Sequence, residues 1–261
     1  MKYGFIGCGN MGGAIAKALC KSTNSIMISD PSPMAAKFAN ELSCQYGTNE
    51  DVISCCDRIF LAVKPQLMAT VLEPLKPLLQ ENAPLIITMA AGLEIARIED
   101  LCGCQLPIIR IMPNTPVAVG KGMITYCHNA LVTKEDLTDF LSDMQYAGKL
   151  NAISEDRIDA ACSVAGCGPA FMYQFLNALA DGGVACGLSW EDSIELAAAT
   201  MAGAAEMVFS TKKHPQELTD AVCSPGGSTI EGVKVLQELD LHGTVMKCIA
   251  ASYKRNLELG K

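Results

Sequence analysis

The sequence predicts an α/β protein: a Rossmann-type, doubly wound, mostly parallel sheet in the N-terminal part, followed by an all-α C-terminal domain. Three observations predict it. Short apolar runs of strand length alternate with helical spacing through the first 154 residues. A glycine turn of the form G-x-G-x-x-G sits between the first strand and the first helix. Beyond about residue 155 the strand pattern stops, and small residues at helical spacing replace it.

The first strand covers residues 3–7 and leads into Gly7-Cys8-Gly9-Asn10-Met11-Gly12. A helical run follows (Ala14, Ile15, Ala18, Leu19), then a strand from Ser25 to Ser29 that ends at Asp30. Strand, glycine turn, helix and strand, with an acid about twenty residues beyond the turn, is the context in which this motif binds a dinucleotide. The glycines let the backbone approach a pyrophosphate, and the helix N-terminus faces its charge. Asp30 can accept hydrogen bonds from the adenosine ribose hydroxyls and would repel a 2′-phosphate. No arginine occurs in the ten residues after it and Lys37 is the nearest cation, so the chain leans to NADH over NADPH. The same carboxylate can also cap the next helix with Pro31 and Ser32.

The alternation continues. Lys37–Leu42 is helical, Cys44–Tyr46 a short strand, Asn49–Ser54 a short helix and Arg58–Val63 a buried strand ending at Lys64-Pro65. Leu85–Thr88 ends at Met89-Ala90-Ala91-Gly92, and Ile108–Met112 ends at Pro113-Asn114-Thr115-Pro116. Ligands of open α/β sheets sit at such strand ends, and three of them converge here. Gly122–Cys127 and Lys149–Ile153 read as late edge strands. The division is therefore 1–154 for the dinucleotide-binding domain and 155–261 for the helical domain.

In the helical part, Pro169 opens a helix containing Phe171, Phe175, Leu176 and Leu179, and Trp190–Phe209 is rich in Ala and Gly. So short a helical domain leaves apolar surface uncovered, which predicts a dimer through these helices. Ser224-Pro225-Gly226-Gly227-Ser228-Thr229 precedes a further helical run (Ile230, Val233, Leu236, Leu239). The first N–H groups of that helix have no partner inside it, and the two glycines carry no side chain to shield them. This is a seat for a small carboxylate, with three hydroxyls around it. An ordinary capped helix would account for the stretch taken alone.

Bulk properties exclude several classes. The net charge is −8, half the residues are apolar and 18% are charged, with no basic run, so neither nucleic acid nor an anionic membrane is an expected partner. The 13 cysteines are an odd number without a C-x-x-C pair or zinc spacing, and read as reduced thiols. The three histidines are scattered, and no metal site is expected. No apolar run reaches the roughly 18 residues needed to span a bilayer. Gly7 to Gly13 would break a signal-peptide core, so the expected location is cytoplasmic.

Seven stretches carry a resemblance: Phe5–Met11, Ala62–Pro65, Ala90–Gly92, Met112–Pro116, Gly166–Ala170, Ala178–Gly183 and Ser224–Thr229. In this order and over essentially its whole length, the chain resembles pyrroline-5-carboxylate reductases, which catalyse the last step of proline biosynthesis. The resemblance implies that Gly7, Cys8, Gly9, Asn10 and Met11 hold the pyrophosphate and that Asp30 and Asn49 lie near the adenosine. It implies that Ala62, Val63, Lys64, Pro65, Met89, Ala90 and Ala91 line the cleft towards the nicotinamide, and it puts Asn114 among the cofactor residues. The Ser224–Thr229 loop would close over the substrate, with Gly227 and Ser228 N–H groups on its carboxylate and Thr229 facing the ring nitrogen. Glu155 matches a position near the proline site. Members are homodimers with interleaved helical domains, some of them decamers. The implied reaction moves a hydride from NADH or NADPH to the C=N carbon of 1-pyrroline-5-carboxylate and yields L-proline.

Cys167 departs from the serine usual in the family, which puts a hydroxyl contact from that turn in doubt. Thr229 is a poor acid, so its role is to orient and polarise the C=N bond. Lys64 reads as a helix-start lysine near cofactor phosphate. A hydroxyacid dehydrogenase would need a base, usually a lysine on the first interdomain helix, and none follows Pro169 through Gly187. A reductase of another cyclic imine stays open. A nucleotide sensor without turnover is the other class, and the intact Ser224–Thr229 stretch weighs against it.

Overall fold

The computed structural model describes residues 2–259. Strand β1 (Tyr3–Ile6) turns through the glycines into α1 (Asn10–Leu19) and β2 (Ile26–Ser29). Then come α2 (Pro33–Glu41), β3 (Gln45–Tyr46), α3 (Asn49–Cys55), β4 (Arg58–Leu61), α4 (Met68–Leu72), α5 (Lys76–Asn82) and β5 (Leu85–Thr88). The sheet region ends with α6 (Ile95–Cys102), β6 (Ile108–Met112), β7 (Gly122–His128), α7 (Lys134–Asp143) and β8 (Gly148–Ala152). Among the described residues only helices follow: α8 (Ile158–Ala161), α9 (Gly168–Ala185), α10 (Trp190–Thr211), α11 (Pro215–Val222), α12 (Ser228–Glu238) and α13 (Leu241–Leu259).

The eight strands form one sheet in the order β3-β2-β1-β4-β5-β6-β7-β8. All pairs are parallel except β6 with β7. The strand order reverses between β1 and β4, and that switch point is where such sheets bind ligands. Every residue of β1, β2, β4, β5 and β6 is buried, which is why these strands read as continuous apolar runs and not as alternation. Alternate residues feed opposite faces. Phe5, Ile28 and Phe60 join Ile15, Leu19 and Phe140 on one side. Ile6, Ile59 and Ile86 join Ile53, Leu72 and Ile98 on the other. Phe5 and Phe60 stack with ring centroids 4.5 Å apart.

Two boundaries differ from the expected ones by two residues or more, for local reasons. Helix α2 starts at Pro33, ahead of Lys37, because Ser32 Oγ accepts the Met34 N–H and a proline fits the first turn. Strand β4 stops at Leu61, short of Val63: Ala62 N–H still bonds Ile6 O, and the chain then turns into a 3-10 turn that opens at Pro65, which has no N–H to offer a ladder. At the opposite end of β4 from the glycine turn, Arg58 is buried and donates to Tyr3 Oη (3.0 Å) and Asp139 (3.1 Å), fastening α7 to the base of the sheet.

The chain divides into two compact units: one runs up to Cys167 and includes the stretch from Ser252, the other is Gly168–Ala251. In the first, Asn256 Nδ2 donates to Asp159 O and Ser163 Oγ, both at 3.2 Å. In the second, α9 and α10 approach closely at Gly183, where an added Cβ would lie 2.6 Å from Ser193 Oγ. Within one chain only Ala180, Ser193 and Ala197 of this second unit are buried.

Candidate active site

Gly7, Ala62 and Met89 stand side by side just past the ends of β1, β4 and β5. Their N–H groups donate to Ser29 O (2.8 Å), Ile6 O (2.9 Å) and Leu61 O (3.4 Å), extending each parallel ladder by one bond. Gly7 has φ +93°, and a Cβ there would sit 2.7 Å from Ala62 O. A Cβ on Gly12 would meet Ala62 Cβ at 2.9 Å, so α1 packs against β4 only because position 12 is glycine. Gly9 differs: a Cβ there would meet nothing within 4 Å. Gly9 caps α1 without a side-chain bond, so the first-turn N–H groups from Asn10 onward face open space. An open cradle of backbone donors at a helix N-terminus fits a dinucleotide pyrophosphate. The Cys8 N–H is used otherwise, because it donates to Asp30 Oδ2 at 2.6 Å.

Asp30 stands between two clefts. Its other oxygen, Oδ1, accepts the Ser32 N–H at 2.8 Å, while the helix cap itself is Ser32. One cleft, of about 560 Å³, holds Gly9, Asn10, Lys17, Ser32, Lys37 and Phe38 beside Asp30. The second, also about 560 Å³, is more apolar and is lined by Tyr46, Asn49, Val63, Leu67 and Val71. Asn49 begins α3 behind a Thr48–Asp51 capping box, and its Oδ1 accepts the Ser29 hydroxyl at 2.7 Å. Burial, with the Asp30 charge added, pushes the Cys8 thiol up to about 11.

Asn114 follows β6, is buried, and spans two neighbours: Nδ2 donates to Ala165 O (2.9 Å) and Oδ1 accepts the Met123 N–H (2.8 Å). Ala165 lies in a π-helical turn, Cys162–Gly166. Glu155 is committed as well. Its Oε1 accepts from Ile95 N–H at 2.7 Å and from Arg110 Nη1 at 3.0 Å. Arg110 is absent from the sequence-based site, although an arginine inside Ile-Ile-Arg-Ile-Met is a visible anomaly.

In the second unit, Ser224–Gly227 forms a turn with Gly226 at φ +68° and the Gly227 N–H on Ser224 O at 3.0 Å. Pro225 presets the second position of this turn. Gly227 caps α12 without a side-chain bond. A Cβ on Gly227 would run into Ser224 Oγ. Among the described residues, the hydroxyls of Ser224, Ser228 and Thr229 make no hydrogen bond, and all three are exposed. Helix α9 carries no lysine.

The reversed strand order and the open glycine cradle define a Rossmann-type, dinucleotide-binding protein. Residues 2–92 match the family model described as NADP oxidoreductase coenzyme F420-dependent, and residues 155–259 match the one described as pyrroline-5-carboxylate reductase dimerisation. The pyrroline-5-carboxylate reductase of Escherichia coli (strain K12) is 37% identical over 100% of this chain and 98% of its own. That of Pisum sativum is 37% identical over 98% and 95%. A crystal structure of Plasmodium falciparum pyrroline carboxylate reductase with NADP bound is 33% identical, with a TM-score of 0.89 over 100% of this chain and 98% of that one. The chain belongs to the pyrroline-5-carboxylate reductase family. An NADH-preferring ketol-acid reductoisomerase at 14% identity, TM-score 0.65, shares the fold alone.

Proposed function

We propose that this protein reduces the C=N bond of 1-pyrroline-5-carboxylate to L-proline, the last step of proline biosynthesis, with NADH or NADPH. The observation that carries this reading is full-length similarity to the reductases, joined to two glycine-led helix starts, at Gly9 and Gly227, whose caps use no side chain. When bound, the reduced nicotinamide supplies the hydride. The chain's own residues position and polarise.

Asn10, Met11 and their neighbours in the first turn of α1 donate to the pyrophosphate, with Gly7, Cys8 and Gly9 giving it room. Asp30 and Asn49 meet the adenosine. Ala62, Val63, Lys64 and Pro65, with Met89, Ala90 and Ala91, line the nicotinamide end. Asn114, with both ends of its carboxamide engaged, serves that end by fixing the turn after β6. The N–H groups of Gly227 and Ser228 bind the substrate carboxylate, helped by the dipole of α12. Ser224 shapes that turn, and Thr229 offers its hydroxyl to the ring nitrogen. Glu155 contributes through Oε2, which carries no bond among the described residues. Asp30 favours NADH.

The functional division falls after residue 154, the assembly is a homodimer through residues 155–261 that can build further to a decamer, and the location is cytoplasmic. The near absence of buried residues in Gly168–Ala251 supports the dimer. Oxidation of NADH and NADPH, measured separately with 1-pyrroline-5-carboxylate, tests the reading. Turnover is expected with both and faster with NADH. No turnover with either overturns it.

A further inference from the structure

We propose that Arg110 is a positioning residue that acts through Glu155 to set the loop after β5 for the nicotinamide end of the coenzyme. This rests on the reading that Met89, Ala90 and Ala91 line that end. Arg110 is 1% exposed and lies in β6 in register with Thr88, the last residue of β5, and with Cys127 of β7. Its Nη1 meets Glu155 Oε1 at 3.0 Å, and the same oxygen takes the Ile95 N–H at 2.7 Å. One carboxylate oxygen therefore joins β6, the first residue of α6 and the 3-10 turn Glu155–Arg157.

The segment between β5 and α6 is held at both ends by these contacts. At its start Ala90 N–H donates to Thr88 Oγ1 at 3.3 Å; just beyond its end Ile95 N–H is held by Glu155. Glu94, the N-cap residue of α6, makes no capping bond of its own, so an acid sixty residues away does that work.

Stability does not account for Arg110. Among the described residues its Nε and Nη2 have no partner, although both are buried. A guanidinium buried with one partner is disfavoured against an apolar side chain, and the flanking Ile109, Ile111 and Met112 show that the strand accepts apolar residues. What the arginine supplies is a fixed direction for the Glu155 carboxylate, hence a fixed origin for α6 and the loop before it.

The test compares binding of NADH, NADPH and ADP to wild type, Arg110→Met, Arg110→Lys and Glu155→Gln, with no substrate present. Nicotinamide fluorescence reports the coenzymes, and competition reports ADP, which reaches only the adenosine half. Arg110→Met is expected to weaken the coenzymes about tenfold, because the unfixed loop must be ordered on binding, and leave ADP unchanged. Arg110→Lys restores most of the affinity, because an ammonium can still pair with Glu155. Glu155→Gln weakens the coenzymes in the same direction and carries the test if Arg110→Met does not fold. Coenzyme affinities that are unchanged, or that fall together with ADP, overturn the proposal. Wild type that binds neither coenzyme overturns the functional reading beneath it, a result that involves no variant.

Discussion

Thr229 is exposed in the first turn of α12 with a free hydroxyl, so Thr229→Ala breaks no hydrogen bond among the described residues. A hydrogen bond to a charged group is worth roughly 1.5–3 kcal/mol, and Thr229→Ala should lower kcat/KM by about tenfold to a hundredfold with the thermal midpoint unchanged. Steady-state kinetics and a melting curve check both halves. Asp30 is a different case, because it already holds the Cys8 and Ser32 N–H groups. Asp30→Ser should lower the ratio of NADH to NADPH efficiency by about tenfold, since it removes a ribose acceptor and a repulsive charge together. A ratio that does not move would remove the carboxylate from coenzyme choice. Both side chains stand out in the sequence because each closes a recognisable local pattern. Arg110 and Glu155 belong to no such pattern: their meeting depends on β6 lying beside β5 and on the path of the chain after β8.

At the scale of elements, the two glycine-led helix starts were legible because each needs only neighbouring residues. Gly227→Ala should raise the KM for substrate by at least about tenfold, because a methyl group there displaces the Ser224 hydroxyl and shields the first-turn N–H groups of α12 proposed to hold the carboxylate. A KM within twofold of wild type would remove that seat from the site. The strands were legible because burial on both faces makes them unbroken apolar runs. The start of α2 was less so, since a serine cap and a proline outweigh the spacing of the apolar residues that follow. The antiparallel direction of β7 is likewise not written in its residues. It follows from the short connection after β6, which contains Asn114 and leaves room for a reversal but not for a crossover helix.

At the scale of the molecule, the helical unit Gly168–Ala251 is the feature that asks for a partner. Nearly all of its large apolar residues are half-buried or exposed within one chain, among them Met172, Leu179, Trp190 and Leu196. Sedimentation at micromolar concentration should show no monomer, and a stable monomer would refute the dimer. The thiols set an alkaline limit on stability. Burial raises Cys8, Cys56, Cys127 and Cys162 from 9.0 to about 11, and Cys102 to about 12. Each group keeps its proton in the fold and loses it when unfolded, so the stability it contributes is intact below pH 9 and is lost as pH rises towards 11 and 12. The urea midpoint should therefore fall between pH 9 and pH 11, and a flat profile would contradict the buried, protonated thiols.

The sequence by itself determined the alternation of strands and helices, the glycine turn with its acid, the glycine-led start of α12 and the family. Each depends on residues close together in the chain or on the order of motifs along it. Tertiary structure alone decided that Asp30 ties down the Cys8 N–H, that Asn114 reaches Ala165, and that one oxygen of Glu155 serves both Arg110 and the start of α6. These contacts join residues 22 to 60 positions apart. Which donor meets which acceptor over such separations is fixed by strand register and helix packing, and neither is encoded at any single position.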